Sequence, residues 1–268
     1  MLKKRIIASI TLLNNIVVQS KKFNHYLPIG DLSITIDYLN QWGADEILIH
    51  DITPKIKKNK INIFKLKKIN NKNYVPICYG GGINSIDKIR KILNNLSDKV
   101  SLNNYLLENQ SFVTKASKIF GSQSIVASID IFKIDKKKYK VFDYKKNKLT
   151  KLDPIEYSKL LEDKGAGELV LKLVNNDGVG NGYEIDYYNK IISKLDIPVI
   201  VGSGVGSYDD LKKAFLNCGA SGYAVGNFWN YKEHSIVIAK KYLSNLKLNV
   251  RNDTYIKYSN QIFKKKLI

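Results

Sequence analysis

A (β/α)8 barrel, the α/β architecture also called a TIM barrel, is predicted by this 268-residue sequence. Three observations carry the expectation. Eight short runs are almost wholly apolar, as parallel strands buried on both faces by covering helices must be. Amphipathic stretches with helix start and stop signals alternate with them. The two halves of the chain repeat in register, strand for strand and turn for turn.

In chain order, strands are expected at RIIASI (5–10), EILIHDI (46–52), VPICYG (75–80) and KVSLN (99–103), then at SIVASID (124–130), ELVLKLV (168–174), IPVIVG (197–202) and GYAVGN (222–227). Asp31 is placed to cap the helix LSITIDYLNQWG, which Gly43 stops, and Ser85 caps IDKIRKILNN. Asp153, Pro154 and Glu156 supply a cap, a first-turn proline and a capping-box acid ahead of YSKLLEDKG, which ends at Gly165. Ser207 precedes YDDLKKAFLNCG, which ends at Gly219. Side chains such as these accept hydrogen bonds from the open first-turn amides, and glycine takes the left-handed turn that closes a helix. Strand followed by helix, eight times over, closes into a barrel.

GADEILI (43–49) matches GAGELVL (165–171), and VPICYGGGINS (75–85) matches IPVIVGSGVGS (197–207), both at an offset of 122. ASIT (8–11) matches ASID (127–130) at an offset of 119. Two similar half-barrels are therefore expected, about 1–120 and 121–245, within one barrel domain of 1–245. A basic extension, 246–268, either stays loosely ordered or docks on a partner. The repeat puts Thr11 and Asp130 at equivalent posts, the C-terminal ends of the first and fifth strands, on the face that carries catalysis in such barrels.

A hydrophobic content of 44% supports a large core and excludes general disorder. The formal net charge is +20, but only Arg5, Arg90 and Arg251 among the 44 basic residues are arginine. The lysines are spread along the chain, no nucleic-acid-binding module is recognisable, and the charge favours anionic substrates through its long-range field. Cys78 and Cys218 stand in apolar surroundings and read as buried free thiols of a reducing compartment. The N-terminal apolar run is too short for a signal peptide and no stretch approaches a membrane span, so a cytoplasmic protein with no membrane partner is expected. His25 and His234 are isolated, and no metal-ligand spacing or cofactor motif is present. His50, beside Asp51, either orients substrate or is a hydrogen-bonded structural histidine. Trp42 and Trp229 read as packing residues.

YGGGINS after the third strand and GSGVGS after the seventh each open a helix. Glycines there either make tight turns or let backbone amides close on a phosphate at the helix start. Two matched loops favour phosphate. They would place Gly81 and Gly82, with Asn103 and Asn104 of the neighbouring strand, opposite Ser203 and Gly204, with Gly226 and Asn227 of theirs. A substrate phosphorylated at both ends, or a nucleotide with one more group, would fit.

KKRIIAS, GADEILIHDIT, YGGGI, SDKVSLNN, FGSQSIVASID, GAGELVLKLVNNDGVGNGYE, IPVIVGSGVGS and AVGNF, in this order and spacing, resemble the cyclase subunit of imidazole glycerol phosphate synthase over about residues 1–245. The resemblance implies a barrel that receives ammonia from a separate glutaminase subunit and inserts it into a bisphosphorylated ribulosyl intermediate. It places phosphate contacts on Gly82, Asn103 and Asn104, and on Asp177, Gly178, Gly204, Gly226 and Asn227. It implies that Arg5, Glu46, Lys99 and Glu168 form a charged ring at the barrel floor, either an ammonia gate or a stabilising girdle, and that Asp98 faces the glutaminase.

The chain departs from that pattern where the chemistry lies. The family uses two facing aspartates as acid and base; Asp130 stands, but Thr11 fills the partner position. A hydroxyl holds its proton too tightly to replace a carboxyl. Gln19 occupies the place of a loop lysine, with Lys21 or Lys22 the nearest substitutes, and Ser9 stands where the family prefers cysteine. A kept gate beside a broken pair resembles the branch that works with a glutaminase and a sugar amidotransferase on nucleotide-sugar substrates of surface glycans. That role is expected first. The ordinary histidine-pathway cyclase comes second, and a non-catalytic scaffold that activates the glutaminase third.

Overall fold

Strands that are apolar from end to end need cover on both faces, and the computed structural model, which describes residues 3–54 and 75–251, supplies it. In chain order the elements are β1 (Arg5–Leu13), β2 (Ile16–Lys21), β3 (His25–Asp31), α1 (Leu32–Gln41), β4 (Glu46–Asp51), β5 (Ile77–Gly80), α2 (Ile86–Asn95), β6 (Lys99–Leu102), α3 (Asn104–Glu108), α4 (Ser111–Phe120) and β7 (Ile125–Lys133). They continue with β8 (Tyr139–Asp143), β9 (Lys148–Leu149), α5 (Pro154–Asp163), β10 (Glu168–Leu173), α6 (Ile185–Ile192), β11 (Val199–Gly202), α7 (Tyr208–Asn217), β12 (Gly222–Val225) and α8 (Ser235–Asn245). Eight strands pair in parallel in the order β1, β4, β5, β6, β7, β10, β11, β12. β12 returns to β1, which closes the barrel. The (β/α)8 expectation holds.

The caps form as the sequence requires. The Asp31 carboxylate accepts from Ser33 N at 2.7 Å, and Ser85 Oγ from Lys88 N at 3.3 Å. Asp153 accepts from Ile155 N and Glu156 N. The reciprocal capping box is made by Ser207 and Asp210. The loop after the first strand holds more order than its sequence shows. Asn14 and Asn15 both take positive φ, 52° and 64°, and this two-residue turn folds β2 back along β1. A two-residue turn of that hand matches strand twist. β2 then pairs with β3, and β8 leaves the end of β7 in the same antiparallel sense.

Inside the barrel, alternate residues face the axis. The resulting layer consists of Ile7, Leu48, Cys78, Val126, Val170, Ile200 and Ala224, all buried and separate from the outer core between strands and helices. Cys78 and Cys218 are buried free thiols, as expected. Trp229 is fully buried, and Trp42 packs on Tyr38 at 4.5 Å between ring centroids. Among the described residues, no helix is long and apolar enough to cross a membrane. Most of the basic extension, 252–268, lies outside the described residues; Val250 bridges to Lys4 at the barrel's N-terminal edge.

Candidate functional site

Period-two alternation along each strand sorts the axis-facing residues into layers. On β1 these are Arg5, Ile7, Ser9 and Thr11; on β7, Val126, Ser128 and Asp130; on β10, Glu168, Val170 and Lys172. The apolar layer thus separates a charged floor from a polar mouth.

At the floor, charges alternate. Arg5 donates to Glu46 at 2.7 Å and to Glu168, and Lys99 reaches Glu168 at 2.8 Å and Glu46 at 3.3 Å. The ring is closed: each cation touches both anions. Burial pushes the Glu46 carboxyl upward, an effect that Lys99 and Arg5 oppose. Burial alone would lower the Lys99 ammonium, but Glu46 and Glu168 outweigh it and hold it above its usual value. Beside the ring, Asp45 accepts from Ile6 N at 2.7 Å and from Lys240 at 2.9 Å, and exposed Asp98 accepts from Ile77 N at 2.9 Å. Asp98 therefore ties the start of β5 to the start of β6.

Above the apolar layer, Ser101 and Ser128 share a hydrogen bond at 2.6 Å. Asp130, 3% exposed, accepts from Asn103 Nδ2 at 2.7 Å on one oxygen. Its other oxygen lies 3.2 Å from Lys172 Nζ but outside hydrogen-bonding alignment, so that contact is Coulombic. Lys172, the direct partner of Asp130 in the β7–β10 register, is a charged side chain at the mouth that the sequence reading missed. Its signal was present: a charge interrupting the apolar run ELVLKLV.

A cleft at this mouth is lined by Thr11, His50, Lys172, Asp177, Gly204 and Asn227, among others. Gly178, Ser203 and Gly226 also line it. The matched loop of the first half lies elsewhere: Gly81, Gly82, Asn103 and Asn104 do not line this cleft. There Asn104 Nδ2 donates to Asp143 at 2.9 Å, and Lys88 Nζ donates to Gly82 O at 3.0 Å. The side-chain amides of Asn103 and Asn104 thus each give a hydrogen bond inside the protein.

The β2–β3 hairpin is lashed over the second half. Asp177 Oδ2 accepts from Ser20 Oγ at 2.5 Å and from Phe23 N at 3.3 Å, and Asn227 Nδ2 donates to Ser20 O at 2.7 Å. Burial raises the Asp177 carboxyl above its usual range, while Ser20, Phe23 N and Lys172 pull it down. Phe23 lays its ring 4.9 Å from Lys172 Nζ, within cation–π reach. Tyr26 of the hairpin meets Tyr144, beyond β8, at 2.9 Å between hydroxyls. Gln19 faces Leu27 within the hairpin register.

The turn after β11 is backbone-limited. Ser203 and Gly204 have φ of 74° and 106°, and a Cβ on Gly204 would stand 2.1 Å from Gly182 O. Gly178 is equally confined, its Cβ direction 2.2 Å from Ser20 O. Gly204→Ala is expected to lower stability by about 1–3 kcal/mol, the scale of a strained backbone position, and to displace the turn. Thermal denaturation with and without inorganic phosphate checks it; unchanged stability would mean the turn is free to relax.

His50 Nε2 is buried with no hydrogen-bond partner. The expectation of a hydrogen-bonded structural histidine is not met at that atom. Burial first, then the nearby Lys172 charge, hold the imidazole well below its usual pKa. The folded chain therefore binds fewer protons here than the unfolded chain near pH 6.5. This contribution to stability is full above that pH and is lost as pH falls below it. Denaturant titrations from pH 7 to 5 are expected to show a fall in stability that His50→Gln flattens. Among the described residues, no three metal-ligating side chains converge.

The family described as "Histidine biosynthesis protein" matches residues 5–235. A protein of Vibrio vulnificus (strain YJ016), provisionally named imidazole glycerol phosphate synthase subunit hisF2, is 34% identical over 260 residues, covering 97% of this chain and 95% of its own. Imidazole glycerol phosphate synthase subunit HisF of Campylobacter jejuni subsp. jejuni (serotype O:6) is 32% identical over 255 residues, covering 94% of this chain and 100% of its own.

Proposed function

Because the chain belongs to the histidine biosynthesis protein family, we propose that it acts as the cyclase-like synthase subunit of a two-component, glutamine-dependent amidotransferase. Ammonia comes from a glutaminase subunit docked in a heterodimer below the floor, near Asp98. It passes the Arg5, Glu46, Lys99 and Glu168 ring and crosses the apolar layer to the mouth. A neutral amine crosses apolar lining at far lower cost than an ammonium ion. At the mouth, the turns at Gly81–Gly82 and Ser203–Gly204, with Gly178, Gly226 and backbone amides near Asn103, Asn104 and Asn227, hold the phosphates of a phosphorylated or nucleotide-sugar acceptor. Asp177 holds the hairpin over it, and Asp130 is the carboxyl that exchanges protons with it.

One observation carries the choice of acceptor: Thr11 faces Asp130 while all four floor charges stay paired. Delivery of ammonia is retained, and half of the cyclising pair is gone. A nucleotide sugar awaiting amidation, with a sugar amidotransferase as further partner, fits that combination better than the ribulosyl intermediate does. The histidine-pathway cyclase is the second reading. It is favoured by the full-length match to the Campylobacter subunit and by the retained Asp130.

The test supplies ammonium salts and the bisphosphorylated ribulosyl substrate to this chain and to the Campylobacter subunit. Loss of one acid–base group typically costs ~100- to 10,000-fold, so turnover lower by that factor is expected here. Equal turnover would select the histidine-pathway reading.

A further inference from the structure

His50 and Lys172 are separated by 122 residues, the offset that also relates GADEILI to GAGELVL. They are therefore repeat mates. His50 ends β4 and Lys172 lies near the end of β10, strands two and six of the closed sheet, so they face each other across the mouth. Thr11 and Asp130 face each other across the same opening from strands one and five. Neighbours complete the arrangement: Thr11 pairs in register with His50, and Asp130 with Lys172. All four of these positions bear on one cleft, either by lining it or, for Asp130, through Lys172. Buried histidine nitrogens normally find partners, and each exception calls for a reason. Here Nε2 has none, although its ring lines a cleft.

We propose that His50 is a catalytic residue of this chain, the proton acceptor on the β1–β4 side of the mouth, and that Lys172 is the proton donor opposite it. The step rests on the reading that ammonia reaches this mouth and adds to a carbonyl-type carbon. The nitrogen lone pair forms the C–N bond, and the C=O π pair moves onto oxygen. The positively charged nitrogen gives one proton to His50 Nε2, and the oxygen takes one from the Lys172 ammonium. The product is a neutral carbinolamine. The imidazolium then returns its proton to the Lys172 amine through water in the cleft, so the step consumes no net proton. Asp130 Oδ1, 3.2 Å from Lys172 Nζ, holds that ammonium at the mouth. Among the described residues, Thr11 on β1 is in register with His50 and the Lys172 charge on β10 acts on it, while Asp130 on β7 stands beside Lys172; Asp51, next along β4, already accepts from Tyr79 and from Thr53 N.

Nitrogen-15 histidine NMR on the full-length chain tests this. Variants H25Q and H234Q, at exposed positions, assign the His50 signals by elimination, so no change at His50 itself is needed. The ligand-free chain is expected to show a His50 midpoint well below pH 6.5, shifted upward in K172M. The probes are the bisphosphorylated ribulosyl compound and a uridine diphosphate sugar, each added without ammonia. One of them is expected to move the His50 Nε2 resonance together with the Gly204 and Gly226 amides. An unmoved Nε2 while the loop amides shift overturns the acceptor role. If neither probe moves the loop amides, the phosphorylated-acceptor reading fails, and the His50 step falls with it.

Discussion

Thr11→Asp is expected to raise ammonium-dependent cyclisation of the bisphosphorylated ribulosyl substrate by about 100- to 10,000-fold, the usual contribution of one acid–base group. Thr11 sits at the mouth end of β1, in register with His50 and opposite Asp130. A carboxyl there would exchange protons across the opening, which a hydroxyl cannot do near neutral pH. Lys172 already offsets the Asp130 charge, so the new carboxylate would not face an uncompensated like charge. It would also stand beside the His50 imidazole and raise its midpoint, which gives a second readout in the same variant. Steady-state turnover with ammonium salts checks the main claim. A well-folded variant with unchanged turnover would show that a carboxylate at position 11 is not what limits cyclisation in this chain.

Glu168→Ala is expected to destabilise the fold by about 3–5 kcal/mol, the cost of leaving buried charge without its partner. Among the described residues, Glu168 is the floor group that reaches Arg5 and Lys99 from β10; its side chain is 7% exposed, and theirs are 14% and 21%. Removing it leaves both cations leaning on Glu46 alone. Urea denaturation at neutral pH measures the loss, and a change under 1 kcal/mol would mean that water replaces the carboxylate at little cost. Glu168→Gln separates stability from gating. In the complex with a glutaminase, glutamine-driven turnover should fall further than ammonium-driven turnover if the ring controls ammonia entry. Equal falls would leave the ring a girdle.

The strands were legible because burial on both faces leaves little room for polar residues, and the caps because Asp31, Ser85, Asp153 and Ser207 are side chains suited to open amides. Thr11 and Asp130 could be placed from the repeat alone. The β2–β3 hairpin was not. Its turn, Asn14-Asn15, lacks glycine, and β3 is exposed along nearly its whole length, so neither alternation nor apolar content marks it. Lys172 was passed over because a lysine in a chain with 44 basic residues carries little information until its neighbours are known.

By itself the sequence determined the barrel, its internal repeat and the placing of Thr11 and Asp130 at equivalent strand ends. All of these are properties of residue type and spacing. The tertiary structure alone decided the partners: Asn103 and Asn104 turned to Asp130 and Asp143, Asp177 holding the hairpin, Lys172 beside Asp130, His50 Nε2 left open. Hydrogen bonds and ion pairs act over a few ångströms, and only closure of the sheet brings residues more than a hundred positions apart within that reach.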